Sequence, residues 1–450
     1  MSASRFRATL WLLLVAGWLA GCVPLRPYHT VQRAPVAIGA SNTAQPDVRT
    51  PCYQPPDTAN GGACVRFVEY DDFGNLFNRA QLDETVEAAR RVAEAGGIVV
   101  VYVHGWEHNA SDGDHDLIAF HRAMQNAQAL DIQYGDKRTI LGIYVGWRGQ
   151  SVSVPGISKT TFWERKTTAQ AVGDGGVFEL FRKLADQREL FRNSRLVLVG
   201  HSFGAAVTYA SVSHSLMDQI IDDPKDASQD GGETRNRRKR WDMVVLVNAA
   251  FEAMQVRPHF ELARSRRYLQ NQLPHLILIT SQADWATRIA FPLGRFFRST
   301  LNKYADPESD DLYETAIGHY IPYVTHQLSA EDDCRRFLQG PPVPPMPDKL
   351  GTVVEAKYFC FDDKRAMLPD STGKHAARPV LLTRCDASGD CSQVAGEHTM
   401  LAPPHMPIMN IRTTSDIMSG HNDIWNPTMQ GFLVQLMLYI VEGPQQHPTR

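Results

Sequence analysis

Ser202 stands in Gly200-His201-Ser202-Phe203-Gly204, between an apolar run, Leu196 to Val199, and a helix-forming stretch that opens near Phe203. A Gly-x-Ser-x-Gly pentapeptide in that setting fits a nucleophile elbow, a sharp strand-to-helix turn that presents a serine hydroxyl at the end of a sheet. Gly200 and Gly204 would let strand and helix approach closely around a strained serine backbone, and Ala205 and Ala206 keep the crossing tight. Upstream, His104-Gly105-Trp106 ends a second apolar run, Ile98 to Val103. Acyl transfer to a serine needs two backbone N–H groups aimed at the developing oxyanion. Phe203, the residue after the serine, is expected to supply one and Trp106 the other. His104 reads as a structural histidine that holds this loop by hydrogen bonds.

With these two motifs in this order, the chain resembles the α/β-hydrolase superfamily of serine esterases and lipases from about Val65 to its C-terminus. In that superfamily the third strand ends in His-Gly and the fifth in the elbow. Gly146-Trp147-Arg148-Gly149 also resembles a Gly-Trp element of some bacterial hydrolases. The superfamily orders its triad as Ser, acid, His. The resemblance then implies Asp284 as the acid, in Thr280-Ser281-Gln282-Ala283-Asp284-Trp285 after the Leu276–Ile279 run, with Glu252 one strand earlier as the alternative. It implies His421, in Ser419-Gly420-His421-Asn422-Asp423, as the base; His319, His326, His398 and His405 compete for that role. The long interval between Asp284 and His421 departs from the compact pattern of the superfamily. It reads as an insertion over 330–405, before the histidine, which carries four cysteines and the proline-rich Pro341 to Pro347.

The elements that must position these groups alternate between strand and helix patterns, which predicts an α/β fold: a mostly parallel sheet with helices on both faces. An edge strand is expected at Val65 to Val68 and a turn at Asp71 to Gly74. Leu82, Val86, Ala89 and Val92 share a helical face that Gly96-Gly97 ends, and Leu117, Phe120, Met124 and Ala127 share another. Further strands are expected at Ile98–Val103, Thr139–Val145, Leu196–Val199, Met243–Val247 and Leu276–Ile279, with a last short one at Met409–Arg412 and a terminal apolar helix from Gly431 to Val441.

The N-terminus addresses compartment. Arg5 and Arg7 precede thirteen apolar or small residues, Ala8 to Ala20, too few to span a bilayer and suited to the core of a secretory signal. The run closes on Leu19-Ala20-Gly21-Cys22, which resembles a bacterial lipobox. That resemblance implies cleavage before Cys22, acyl chains on the cysteine, and, with Val23 following it, an outer-membrane destination. Three acyl chains anchor firmly where one does not, at about 0.8 kcal/mol per buried methylene. Cleavage removes two arginines and no acids, so the charge moves from 46 − 49 = −3 to 44 − 49 = −5. Six cysteines then remain: Cys52, Cys64, Cys334, Cys360, Cys385 and Cys391. An even number in an oxidising compartment suggests three disulfides, with 15 possible pairings. Residues 22–60, rich in Pro, Thr, Ala and Asn, read as a lipidated cysteine with a flexible tether, and 61–450 as the folded domain.

Composition excludes several classes. A chain of 450 residues that is 43% hydrophobic and 21% charged is neither disordered nor collagen-like, and its near-neutral balance argues against a nucleic-acid partner. The basic run Arg235 to Arg240 reads as a solvated loop, with acids just upstream. Asp112, Asp114 and Asp116 alternate as in a calcium loop, but Leu117 takes the position that needs glycine, so they read as a helix start. No phosphate loop or zinc spacing appears, and no cofactor is expected. The expectation is a lipid-anchored serine hydrolase acting on a small-molecule or lipid ester and attached to the membrane through its acyl chains. Amide or thioester hydrolysis, or a non-catalytic scaffold binding an envelope partner, are the alternatives.

Overall fold

Runs such as Ile98–Val103 and Met243–Val247 show no polar alternation, so they suit strands covered on both faces. The computed structural model describes residues 25–29, 64–134, 136–150, 162–223, 240–268, 272–290, 308–330, 358–361, 380–385, 402–403 and 405–442. Its ten strands are β1 (Cys64–Glu69), β2 (Ile98–Val103), β3 (Ile140–Gly146), β4 (Arg195–His201), β5 (Met243–Val247), β6 (Leu276–Ser281), β7 (His326–Ala330), β8 (Tyr358–Phe361), β9 (Val380–Arg384) and β10 (Ile408–Thr413). They form one sheet in the order β1-β3-β2-β4-β5-β6-β10-β7-β9-β8. Pairing is parallel from β1 across to β7 and antiparallel only where β9 joins β7 and β8.

The helices are α1 (Arg79–Glu94), α2 (His115–Tyr134), α3 (Phe162–Val172), α4 (Phe178–Leu190), α5 (Phe203–Asp222), α6 (Ala253–Arg264), α7 (Glu308–Glu314) and α8 (Pro427–Glu442), with a kink at Gly173–Val177 between α3 and α4 where Gly175 leaves helical geometry. Asn78 caps α1 by accepting the Ala80 N–H, and Gly96 follows its end at φ +74°. Alternate strand residues feed two cores. Val99, Val101 and Val103 pack with Leu82 of α1, Leu180 and Phe181 of α4, and Phe203 and Val207 of α5. Val100 and Tyr102 face the other way, toward Leu117 and Phe120 of α2 and Met429 and Phe432 of α8.

β2 leads into α2 on one face and β4 into α5 on the other, so the chain changes face between neighbouring strands. The carboxyl ends of two such strands border a crevice, the usual ligand position in open α/β sheets. His104-Gly105-Trp106 follows the carboxyl end of β2, and Ser202 that of β4.

Three strands go beyond the sequence expectation. β8 and β9 lie within the expected insertion and β7 just before it, so the described parts of 330–405 extend the sheet rather than leave it. β7 carries His, Gln and Ser in five residues, and β8 is four residues long, so neither shows a clear strand pattern. Within the expected tether, the described residues Leu25–His29 are held against the end of β1. The Tyr28 and His29 N–H groups donate to Glu69 Oε2 and Oε1, each at 2.8 Å. Residues 1–24 and 30–63, with the expected signal, Cys22 and Cys52, lie outside the described residues, as do Cys334, Cys391, His398 and 235–239 of the basic run. Cys64 and Cys385 are each disulfide-bonded. Among the described residues no helix is long and apolar enough to cross a membrane.

Candidate active site

The elbow forms where the glycines allow it. A Cβ on Gly204 would sit 2.1 Å from the Val103 carbonyl oxygen, and one on Gly200 2.6 Å from the Gly204 carbonyl oxygen. Helix α5 thus meets β4 through Gly200 and β2 through Gly204, at contacts that only glycine permits. Between them Ser202 adopts φ +55°, ψ −120°, a strained geometry held by hydrogen bonds. Its N–H donates to Val247 O at 3.0 Å, and its carbonyl accepts from Ala205 N at 3.1 Å and Ala250 N at 3.2 Å. Phe203 begins α5, so its amide belongs to the outward-pointing first turn of the helix.

His421 and Asp284 reach Ser202 from the loops after β10 and β6. Ser202 Oγ lies 2.7 Å from His421 Nε2, and His421 Nδ1 lies 2.8 Å from Asp284 Oδ2. A carboxylate only accepts, so Nδ1 carries the proton and Nε2 is left to accept from the serine hydroxyl. Asp284 is fully buried. Burial alone would raise its pKa, but hydrogen bonds from His421 and from the Thr287 hydroxyl and amide outweigh that and hold it below the ordinary value. The chain Ser–His–Asp is thereby set for proton transfer from the serine.

The opposite wall is built by β2 and β3. A Cβ on Gly105 would fall 2.9 Å from Ser202 Cβ, so the Gly105 backbone lies directly against the elbow, with Trp106 next in the chain. His104 is buried; its Nδ1–H donates to Gly105 O at 3.0 Å while Nε2 accepts from Trp147 N at 3.1 Å. Trp147 Nε1 returns a bond to His104 O at 3.0 Å. Burial lowers His104 to about 4, which keeps the ring neutral and its tautomer fixed. The Gly146-Trp147 element therefore braces the His104-Gly105 turn.

The remaining candidates are placed elsewhere. Glu252, the alternative acid, is buried against the Lys166 ammonium and accepts from Gln255 Nε2 at 2.7 Å. Its charge belongs to that pair, and the carboxylate that accepts from His421 Nδ1 is that of Asp284. His319 sits one step behind the acid, its Nε2 2.9 Å from Thr287 Oγ1. His326 is buried in β7 beside Thr325 Oγ1, and His405 is buried before β10. Asp114 accepts the Asp116 N–H at 2.8 Å, so it caps α2 as expected. Among the described residues no group of three or more His, Cys, Asp or Glu is arranged to hold a metal.

His201, expected as a supporting residue, donates from Nε2 to the His421 carbonyl at 2.9 Å; Asn248, which the sequence reading missed, donates to the same oxygen from Nδ2 at 2.7 Å. Asn248 Oδ1 accepts from Ser281 N at 3.0 Å, and Ser281 Oγ donates to Met418 O at 2.5 Å. The ends of β4, β5 and β6 thus clamp the histidine loop. Asn248 adopts φ +46°, a conformation asparagine tolerates better than most residues. Buried Arg165 pairs with Asp72 at 2.8 Å and donates to Arg148 O at 3.1 Å, fixing the segment after β3. A comparison of the chain with protein-family models and with curated protein sequences gives no match, so the site's own geometry carries the argument that follows.

Proposed function

We propose that the protein is a serine hydrolase of the α/β-hydrolase kind that cleaves carboxylic esters through an acyl-enzyme, anchored in a bacterial envelope by acyl chains on Cys22. The observation that carries the reading is the continuous hydrogen-bonded path from Ser202 through His421 to the buried carboxylate of Asp284. The strained elbow and the Gly105 backbone packed against it add support.

In this mechanism His421 Nε2 takes the Ser202 proton as Oγ attacks the ester carbonyl. Asp284 orients the imidazole and stabilises the imidazolium without taking the proton. The Phe203 and Trp106 amides receive the oxyanion. Collapse breaks the ester C–O bond, and His421 returns its proton to the leaving alkoxide. Water then attacks the acyl carbonyl as His421 takes one of its protons, and the C–Oγ bond breaks as His421 returns that proton to Ser202 and the acid leaves. The test is a chain-length series of nitrophenyl esters with the mature protein and its Ser202→Ala variant. Turnover by the former and none by the latter is the expected result; equal rates in both would overturn the reading.

A further inference from the structure

The segment just after the anchor cysteine is fixed in a built receptor. Glu69 is 2% exposed, yet its carboxylate receives two main-chain N–H groups, from Tyr28 and His29, and the Gln81 amide. Gln81 Nε2 also donates to His29 O at 3.0 Å, and His29 Nε2 to Ala110 O at 2.7 Å, with the His29 ring stacked 3.5 Å from Phe67. Leu25 and Tyr28 line a small cavity with Gly146, Trp147 and Gly149. Gly149 in turn lies against the Gly105 carbonyl, at 2.7 Å from an added Cβ. The docking place is therefore the carboxyl edge of the sheet, the edge that carries Ser202.

Three peptide steps separate Leu25 from Cys22, at most about 10 Å of chain. An acylated Cys22 then brings the bilayer to within that distance of the same edge. Two large apolar side chains already stand out there: Phe73, 77% exposed in the turn after β1, and Trp285, 59% exposed beside Asp284. β1 and β6 are separated by five strand spacings, roughly 24 Å, and the elbow after β4 lies between them. Leu25 and Phe73 at one end and Trp285 at the other bracket the elbow along this edge, and all three are exposed.

We propose that the carboxyl edge of the sheet is the surface this protein lays on its own membrane, with Phe73 and Trp285 in the interface, and that the ester reaching Ser202 is a membrane-resident acyl lipid. The inference deepens the proposed function and rests on the lipidation of Cys22 and the esterase reading. The experiment uses the full mature protein in vesicles of phosphatidylglycerol and phosphatidylethanolamine, with or without lipids brominated near the headgroup. Two readouts are taken: the share of tryptophan emission that bromine quenches, and hydrolysis of a long-chain ester dissolved in the vesicles against a short water-soluble ester. Wild-type protein should be quenched, and Trp285→Phe should remove most of that quenching. Phe73→Ser with Trp285→Ser should slow the vesicle ester by on the order of tenfold while changing the soluble ester less than twofold. Vesicle-bound protein whose quenching does not depend on Trp285, or a double variant that treats both esters alike, would overturn the proposal and leave the esterase reading intact. Loss of Ser202-dependent turnover of the soluble ester is the separate failure, that of the proposed function.

Discussion

At the scale of single residues the account depends on three side chains acting on one step. Ser202→Ala should lower turnover by on the order of 10⁵–10⁶ and His421→Ala nearly as much, with the double variant barely worse than either. Asp284→Asn should cost on the order of 10³–10⁴, since the amide can donate to Nδ1 and favours the wrong tautomer. Glu252→Gln makes the contrast. It leaves the Lys166 ammonium buried without its carboxylate, so it should lower stability by about 3–5 kcal/mol and spare kcat in the folded fraction. Thermal denaturation beside steady-state kinetics separates these outcomes, and a folded but inactive Glu252→Gln would return the acid role to Glu252. Ser202 was legible because its pentapeptide has few structural uses between strand and helix. Asp284 and His421 were expected from the triad order that the resemblance implies, applied to the loops after apolar runs. Asn248 and Thr287 were not, because they act on backbone and carboxylate groups that only the folded chain brings near.

At the scale of elements the loops are held from several strand ends at once. Gly105→Ala would push against His201 Nδ1 at 2.8 Å and Ser202 Cβ at 2.9 Å, displacing the Trp106 amide. A fall in kcat on the order of 10²-fold with little change in KM is expected, the pattern of a lost oxyanion donor. Asn248→Gly keeps the left-handed backbone and deletes the clamp on the His421 carbonyl. It should reduce kcat while Asn248→Asp, which lacks the donor and adds a charge, reduces it further; equal activity in all three would remove Asn248 from the positioning set. The central strands were legible from their unbroken apolar runs. β7, β8 and β9 were not: five residues such as His326-Gln327-Leu328-Ser329-Ala330 acquire strand character from the neighbours they pair with, β10 and β9. The interval between Asp284 and His421, a separation of 137 positions, holds these strands, and β10 returns beside β6 to deliver the histidine.

At the scale of the whole molecule, folding buries neutral histidines. Burial takes His104 down to about 4, His326 to about 3, and His201 well below the ordinary value. The unfolded chain binds these protons near pH 6.5 and the folded one does not. Their contribution is intact above pH 6.5 and is lost as pH falls toward 4, at about 1.4 kcal/mol per pH unit for each group. Thermal scans should show Tm dropping steeply between pH 6.5 and 4.5 with protons taken up on unfolding; a flat Tm across that window would contradict the buried, neutral assignment. The central claim, that this arrangement makes Ser202 a nucleophile, is tested most directly by a fluorophosphonate probe and peptide mass mapping on the intact mature protein. The account predicts one adduct, on Ser202, absent in Ser202→Ala and formed far more slowly in His421→Ala. A folded protein that takes no label, or takes it with equal speed when His421 is gone, would contradict it.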